Sequence, residues 1–124
     1  MSLILIVEDN EKNMKLVRDV LQAKGYVTIE AITGEDGVRL AIERKPDLIL
    51  MDIQLPGISG IEALHQLRAN PDTAHIPAVA VTASVMQQDR KHITEAGFDG
   101  YLGKPINLKE FLDTVRTMLE TGKQ

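Results

Sequence analysis

Short apolar runs alternate along the chain with segments in which apolar residues recur every three or four positions. The runs are too short for helices and end at polar residues, which is typical of buried β-strands. Three runs are purely apolar: Leu3–Val7, Leu48–Met51 and Ala78–Val81. Two are mixed: Val27–Ala31 and Asp99–Leu102. Because strands that are buried on both faces are continuously apolar, we expect the pure runs at the centre of a sheet and the mixed runs at its edges.

Helical periodicity fills the intervals between these runs. The predicted helices lie near residues 11–24, 34–44, 59–68 and 85–96, and from residue 108 onwards. The last is the clearest, with Asn107 as its expected N-cap and apolar residues at helical spacing: Leu108, Phe111, Leu112, Val115 and Leu119. Gly25 is the expected stop of the first helix. The fourth helix has the thinnest apolar stripe, so we expect it to be the least firmly packed.

This alternation predicts five βα units and an α/β fold. Strands that alternate with helices form a parallel sheet with helices on both faces and right-handed crossovers. Three central strands, with the second strand at an edge, fit the doubly wound flavodoxin-like order 2-1-3-4-5. We expect a single domain over residues 1–124. Ligands of such sheets bind at the carboxyl ends of the strands.

Composition narrows the classes of function. The chain has 124 residues and no cysteine, which excludes disulfides and thiolate metal sites. Its net charge of −4 argues against a nucleic-acid binder. No apolar run approaches the length of a membrane span, and nothing at the amino terminus resembles a signal peptide. We therefore expect a cytoplasmic protein that has no membrane contact.

Polar residues follow the predicted strands at the edge where a ligand is expected. Glu8 and Asp9 follow the first strand, Asp52 ends the third, Thr82 ends the fourth and Lys104 follows the fifth. Three neighbouring carboxylates repel one another unless a cation lies among them, and a hard divalent ion, Mg²⁺ or Mn²⁺, suits oxygen ligands. An ammonium and a hydroxyl can hold phosphoryl oxygens. Together these groups predict a phosphoryl-transfer site.

Each of these residues also has a simpler interpretation. Glu8, Asp9 and Asn10 could only begin and cap the first helix, and Asp52 could only precede a turn. Thr82 before a helix is commonly a cap, and a lysine before a proline is commonly a solvated loop residue. The joint placement of these residues at four strand ends favours the functional interpretation.

At this point the sequence resembles the response-regulator receiver domains of bacterial two-component signalling, which belong to the CheY-like superfamily. The resemblance covers residues 3 to 120 and rests on four motifs in order: "ILIVEDN", "PDLILMDIQLPGISG", "PAVAVTA" and "GYLGKPI". The wording of "VEDNEKNMKL", "MDIQLPGISG" and "AHIPAVAVTA" is similar to the DivK-type single-domain regulators. Similar wording occurs in the receivers of hybrid sensor kinases.

The resemblance implies a role for each acidic residue. Asp52 would accept a phosphoryl group from a phosphohistidine. Glu8, Asp9 and Asp52 would bind Mg²⁺ together with the backbone carbonyl of Gln54. Family members commonly have Asp where this chain has Glu8, and the longer side chain suits binding through water. Gln54 and Ser84 would flank the attacking water and tune the lifetime of the phosphorylated state.

The resemblance also implies a switch. Thr82 and Lys104 would contact the phosphoryl group, and Tyr101 would turn inward as Thr82 is drawn towards it. The peptide bond between Lys104 and Pro105 would be cis. The responding element would be the fourth helix with the preceding loop, 83–86, and partners would bind the face of the fourth helix, fifth strand and fifth helix.

The implied partners are a histidine kinase or a histidine phosphotransfer protein, and a downstream protein target. The domain would be a signalling switch rather than an enzyme, although it would catalyse its own phosphorylation and dephosphorylation. No output domain follows Gln124, so we expect a stand-alone regulator. A receiver excised from a hybrid sensor histidine kinase is the alternative.

Two enzyme or cofactor classes share parts of this pattern. Haloacid-dehalogenase-type phosphatases use an aspartate and Mg²⁺, but need a second aspartate where this chain has Gln54. A flavodoxin would need a phosphate-binding loop after the first strand and more aromatic residues than the four present. The three histidines, His65, His75 and His92, show no ligand spacing and are expected at the surface.

Overall fold

The computed structural model describes residues 2–83 and 87–122. Within these residues, strands and helices alternate along the chain in this order: β1 Leu3–Val7, α1 Glu11–Ala23, β2 Val27–Ala31, α2 Gly34–Arg44, β3 Leu48–Asp52, α3 Gly60–Ala69, β4 Ala78–Thr82, α4 Gln87–Ala96, β5 Gly100–Gly103 and α5 Leu108–Gly122. Each strand leads into a helix, as the α/β prediction requires.

The five strands of the described chain form one parallel sheet in the order β2-β1-β3-β4-β5. This confirms the predicted doubly wound, flavodoxin-like topology. The predicted division between centre and edge is also confirmed. Every residue of β3 and β4 is buried, whereas β2 and β5 at the two edges contain partly exposed positions.

Two strands extend one residue beyond their apolar runs, to the polar residues that are predicted to end them. β3 includes Asp52 and β4 includes Thr82, while β5 is displaced to Gly100–Gly103. Backbone hydrogen bonds explain the difference, because the ladder continues past the last apolar side chain. The N–H of Ile53 donates to the carbonyl of Val81 at 3.1 Å. Asp52 and Thr82 are therefore the last residues of their strands, as predicted.

The sheet separates two apolar cores. On one face α2, α3 and α4 supply Ala41, Leu64, Leu67 and Ile93. On the other face α1 and α5 supply buried apolar residues at helical spacing: Met14, Val17, Leu21, Phe111, Val115 and Leu119. Burial of apolar side chains on both faces contributes about 25 cal/mol per Å² of area removed from water. The sheet is thereby fixed between two helical layers.

Polar side chains fix where the helices begin and end. Asn107 caps α5 as predicted, since its Oδ1 accepts from the N–H of Glu110 at 3.0 Å. Asn10 caps α1 in the same way, accepting from the N–H of Asn13 at 3.0 Å. Gly25 follows α1 with a φ of 87°, a conformation that favours glycine, and so confirms the predicted stop.

The fourth helix begins at Gln87 in the described chain. The prediction began it at Val85, which lies outside the described residues. Ile93 on the inner face of α4 is buried in the core, and so is Phe98, which lies just after the helix. In the part of the chain that the structure describes, no helix has both the length and the apolar character needed to cross a bilayer.

Candidate functional site

Three carboxylates meet at the carboxyl end of the sheet. Glu8 and Asp9 directly follow β1, and Asp52 is the last residue of its neighbour β3. Each offers a carboxylate oxygen, and these oxygens all lie within 4.8 Å of one another. Glu8 and Asp52 are only 4% and 5% exposed, whereas Asp9 is exposed. The register of the two parallel strands brings Glu8 and Asp52 together. It pairs Val7 with Met51, and each of these residues directly precedes one of the two acids.

Lys104 brings the opposite charge into this cluster. Its ammonium Nζ lies 2.9 Å from Oδ2 of Asp52 and 3.0 Å from Oε1 of Glu8. The backbone N–H of Lys104 donates to the carbonyl of Thr82 at 2.9 Å, which fixes the loop after β5 against the end of β4. The peptide bond between Lys104 and Pro105 is cis.

The electrostatics of the cluster follow from burial and from these contacts. Burial raises the pKa of Glu8 to about 7, and the hydrogen bond with Asp52 and its negative charge add to the shift, while Lys104 opposes it. Burial alone would lower the pKa of Lys104. Its hydrogen bonds to Asp52 and Glu8 outweigh burial, so its pKa is raised. The two carboxylates thus share the ammonium of Lys104.

The loop between β3 and α3 folds tightly around Asp52. The N–H of Gln54 donates to Oδ1 of Asp52 at 3.0 Å, so both oxygens of this carboxylate accept hydrogen bonds. The N–H of Gly60 donates to the carbonyl of Ile53 at 2.9 Å. A Cβ on Gly60 would overlap the backbone carbonyl oxygen of Asp52. Close approach of α3 to the acid therefore needs a glycine.

Sequence reasoning did not single out Gly60. The signal was present in the stretch "LPGISG", where a second glycine follows the turn glycine and begins a helix. Glycine is a poor helix former, so its place at a helix start indicates a close backbone approach. Gly57, the first glycine, has a φ of 78°. The two glycines therefore serve different needs.

Thr82 and Tyr101, the two predicted switch residues, lie on the neighbouring strands β4 and β5. Thr82 ends β4, beside β3, and is only 3% exposed. Tyr101 lies on the neighbouring edge strand β5, pairs with Ala80 in register, and packs half-buried against the core under α3 and α4. Ser84 lies outside the described residues. The roles of Thr82, Tyr101 and Gln54 remain predictions.

The donor set fits a hard divalent cation. Three close carboxylate oxygens carry more negative charge than the single ammonium of Lys104 neutralises, and oxygen is the ligand that Mg²⁺ prefers. The chemistry available is that of a carboxylate nucleophile beside a cation site, an ammonium and a buried hydroxyl. Such a set stabilises negative charge that develops on a transferring phosphoryl group.

The histidines take no part in this site. His65, His75 and His92 are exposed, as predicted. Tyr26 packs against the core on the α1 and α5 face.

Comparison with known proteins shows which family has this arrangement. The sequence pattern of the response regulator receiver domain matches residues 4–116. The chain belongs to the response-regulator receiver family. The receiver domain is the phosphorylation-regulated module of two-component signalling, and this confirms the resemblance inferred from the motifs.

The relatives of this receiver domain include curated single proteins and solved structures. The chain is 47% identical to the polar-differentiation response regulators DivK of Brucella anthropi and Brucella abortus, over 94% of its own length and 94% of theirs. It is 33% identical to the crystallised receiver domain of a Pseudomonas aeruginosa sensor histidine kinase, with a TM-score of 0.90, covering 96% of this chain and 98% of that one. That structure has a magnesium ion coordinated in its active-site cleft.

A third relative supports the same fold. A response regulator of Chloroflexus aurantiacus has a TM-score of 0.92 and 29% identity, covering 96% of this chain and 98% of that one. Membership of the receiver family leaves the phosphatase alternative without support. The position two residues after Asp52 is Gln54, not the second aspartate that those enzymes need.

Proposed function

We propose that Asp52 accepts a phosphoryl group from the phosphohistidine of a histidine kinase or a histidine phosphotransfer protein. The observation that supports this most is the environment of its carboxylate. Oδ1 accepts from the N–H of Gln54, Oδ2 lies against Lys104, and the carboxylates of Glu8 and Asp9 are adjacent. Asp52 is therefore oriented by fixed donors before any phosphoryl group arrives, which lowers the cost of reaching the transition state.

In the proposed transfer, a carboxylate oxygen of Asp52 attacks phosphorus as the bond from phosphorus to the histidine nitrogen breaks. The electron pair of that bond stays on the leaving imidazole, and Asp52 becomes an acyl phosphate. Lys104 moves from the carboxylate oxygens to a phosphoryl oxygen, and the hydroxyl of Thr82 donates to another. A magnesium ion held by Glu8, Asp9, Asp52 and the carbonyl of Gln54 would supply charge neutralisation, with Mn²⁺ as a substitute.

Dephosphorylation is the hydrolysis of the acyl phosphate, in which water attacks phosphorus and Asp52 is the leaving group. In our proposal the domain catalyses both its own phosphorylation and this hydrolysis. The N–H of Gln54 donates to Oδ1 of Asp52, which holds the backbone of Gln54 beside the acid that would carry the phosphoryl group. We assign it, together with Ser84, to tuning the lifetime of the acyl phosphate.

In our proposal, phosphorylation changes the surface that a downstream protein binds. Thr82, at the end of β4, follows the phosphoryl group, and Tyr101 on β5 moves inward behind it. A groove of about 600 Å³ runs along β5 and α5 and is lined by residues of both elements, among them Tyr101, Pro105, Glu110 and Met118. We propose that the downstream protein binds the α4, β5 and α5 face, where this groove lies.

The proposed setting is a cytoplasmic phosphorelay in which the domain binds proteins, not nucleic acid or membrane. The curated DivK relatives, 94% of whose length the chain covers, favour a single-domain regulator. The kinase receiver at 33% identity keeps a hybrid sensor kinase as the alternative. The full reading frame distinguishes the two.

The assignment is tested by incubating the protein with a small-molecule phosphodonor and Mg²⁺ and measuring labelling by phosphate-affinity electrophoresis. Asp52→Ala and Asp52→Asn should both lose the label. Asp72→Ala, which removes an exposed carboxylate, should be labelled like the wild type. If both Asp52 variants fold and are labelled normally, the assignment is wrong.

A further inference from the structure

A basic hollow lies between the end of α1 and the outer face of α5, on a chain whose overall charge is negative. Its volume is about 330 Å³. The hollow is lined by three cations, one acid, one aromatic and one aliphatic side chain: Lys24, Lys109, Arg116, Asp113, Tyr26 and Leu112. The chain as a whole carries 18 acidic and 14 basic residues. Positive charge is therefore concentrated here against the average.

The positive charge of the basic hollow is not neutralised from within. Arg116 lies 3.4 Å from Asp113, one helical turn away, and both side chains are more than half exposed, so this pair is weak. Within residues 2–83 and 87–122, Lys24 and Lys109 have no ion-pair partner. Two ammonium groups at the rim are thus available to an anionic ligand.

The base of the basic hollow is apolar and fixed. Tyr26 and Leu112 are half-buried and pack against the core under α1 and α5. Leu112 follows the fully buried Phe111 on α5, so its position is set by core packing. An aromatic and an aliphatic side chain beneath three cations form a surface that suits a ligand with both carboxylate and apolar groups.

The basic hollow is separate from the phosphorylation site. Tyr26 directly precedes β2 and Lys24 directly follows α1, which places both at the amino-terminal edge of the sheet. The acidic cluster lies at the opposite, carboxyl edge. Lys109, near the start of α5, extends the hollow towards that edge, but none of the lining residues belongs to the acidic cluster.

We propose that this hollow is a docking site for an acidic segment of a partner protein, with an apolar side chain flanked by carboxylates. Charge complementarity selects the class, because the three cations attract carboxylates and the base accepts an apolar group. A nucleic acid is disfavoured, since the net charge of −4 repels a phosphate backbone outside this small area. Exposed ion pairs are individually weak, so the hollow should bind its partner weakly and in a salt-sensitive way.

The test uses the ¹⁵N-labelled, unphosphorylated protein and a synthetic hexapeptide, Glu-Leu-Asp-Glu-Leu-Glu, followed by amide chemical shifts. Saturable shifts should appear at the amides of Tyr26, Leu112 and Arg116. Raising salt from about 50 to 300 mM should weaken binding several-fold, because exposed pairs are screened. The amide isostere, Gln-Leu-Asn-Gln-Leu-Gln, should produce no saturable shift.

Two double variants make the test specific. Lys24→Gln with Lys109→Gln should weaken peptide binding about tenfold, which corresponds to about 1.4 kcal/mol. Lys12→Gln with Lys45→Gln removes the same charge from exposed positions elsewhere and should leave binding unchanged. An equal loss in both doubles, equal binding of the amide isostere, or tighter binding of a single-stranded oligonucleotide at the hollow would each overturn the proposal.

Discussion

The ammonium of Lys104 lies 2.9 Å from a carboxylate oxygen of Asp52, although 52 positions of chain separate the two residues. The same ammonium lies 3.0 Å from Glu8. It thus lies against two of the three carboxylates that would hold a divalent cation, and it balances two buried acids. The contact joins the ends of β1 and β3 to the loop after β5.

Replacing Lys104 should therefore destabilise the protein and strengthen its affinity for Mg²⁺. Breaking a buried ion pair costs about 3–5 kcal/mol, and since the Lys104 side chain is 19% exposed we expect about 2 kcal/mol for Lys104→Met. Urea unfolding in EDTA measures this loss, and calorimetric titration measures the metal affinity. Lys91→Met, at an exposed lysine, is the control. Unchanged stability and affinity would show that the pair is not energetically significant.

The raised pKa of Glu8 predicts a dependence of stability on pH. Between pH 4.5 and about 7 the folded protein holds a proton on Glu8 that the unfolded chain has lost. The free energy of unfolding should therefore fall as pH rises through this window, by about 2 kcal/mol relative to Glu8→Gln. Below pH 4.5 the group is protonated in both states and contributes no slope.

Unfolding curves at a series of pH values in EDTA test this prediction. Glu120→Gln, an exposed glutamate, should retain the wild-type slope. Added Mg²⁺ should reduce the fall, because a cation stabilises ionised Glu8 and releases its proton. Parallel curves for wild type and Glu8→Gln would contradict the shift.

Gly60→Ala should move the start of α3 away from Asp52. The added Cβ would overlap the Asp52 carbonyl, and overpacking of this kind costs about 1–3 kcal/mol. Labelling by a small phosphodonor should slow as well, because the clash falls on the backbone of Asp52, directly before the loop that carries Gln54. Ala69→Ser at the far end of α3 should change neither property. Labelling at the wild-type rate would mean that the loop absorbs the Cβ without disturbing the acid.

Arg68, at the end of α3, joins the connection between α3 and β4 to the connection between α4 and β5. Its guanidinium donates to the carbonyls of Ile76 at 2.7 Å and Gly97 at 3.2 Å, and to the carboxylate of Asp99 at 3.1 Å. Asp99 in turn accepts from the N–H of Ala78 at 2.9 Å. Charged hydrogen bonds that are partly buried contribute about 1.5–3 kcal/mol, so Arg68→Gln should cost about 2 kcal/mol.

Thermal and urea unfolding measure the loss at Arg68. Arg39→Gln, whose side chain is exposed and pairs only with neighbours on its own helix, should show no comparable change. Hydrogen exchange should increase at the carboxyl end of α4 in Arg68→Gln and not in Arg39→Gln. Equal stability of the two variants would show that solvent replaces the Arg68 contacts.

Much of this architecture is determined by local sequence. Apolar runs of strand length, helical periodicity and the caps Asn107 and Gly25 depend on neighbouring residues, so they can be read along the chain. The sheet order followed from which runs are purely apolar, since burial on both faces leaves no polar position. Ligands of parallel sheets bind at the carboxyl ends of the strands. This rule alone predicts that one edge of the sheet carries five polar residues: Glu8, Asp9, Asp52, Thr82 and Lys104.

The tertiary structure alone decided how these residues meet. Three relationships join distant positions. One ammonium is shared by Glu8 and Asp52, Gly60 leaves room for a carbonyl oxygen, and Arg68 joins two connections. The placement of Lys24 and Lys109 in one hollow is also a relationship between distant positions. Periodicity reports which side of an element faces inward, but distances between elements depend on how side chains fill the space between the sheet and its helices.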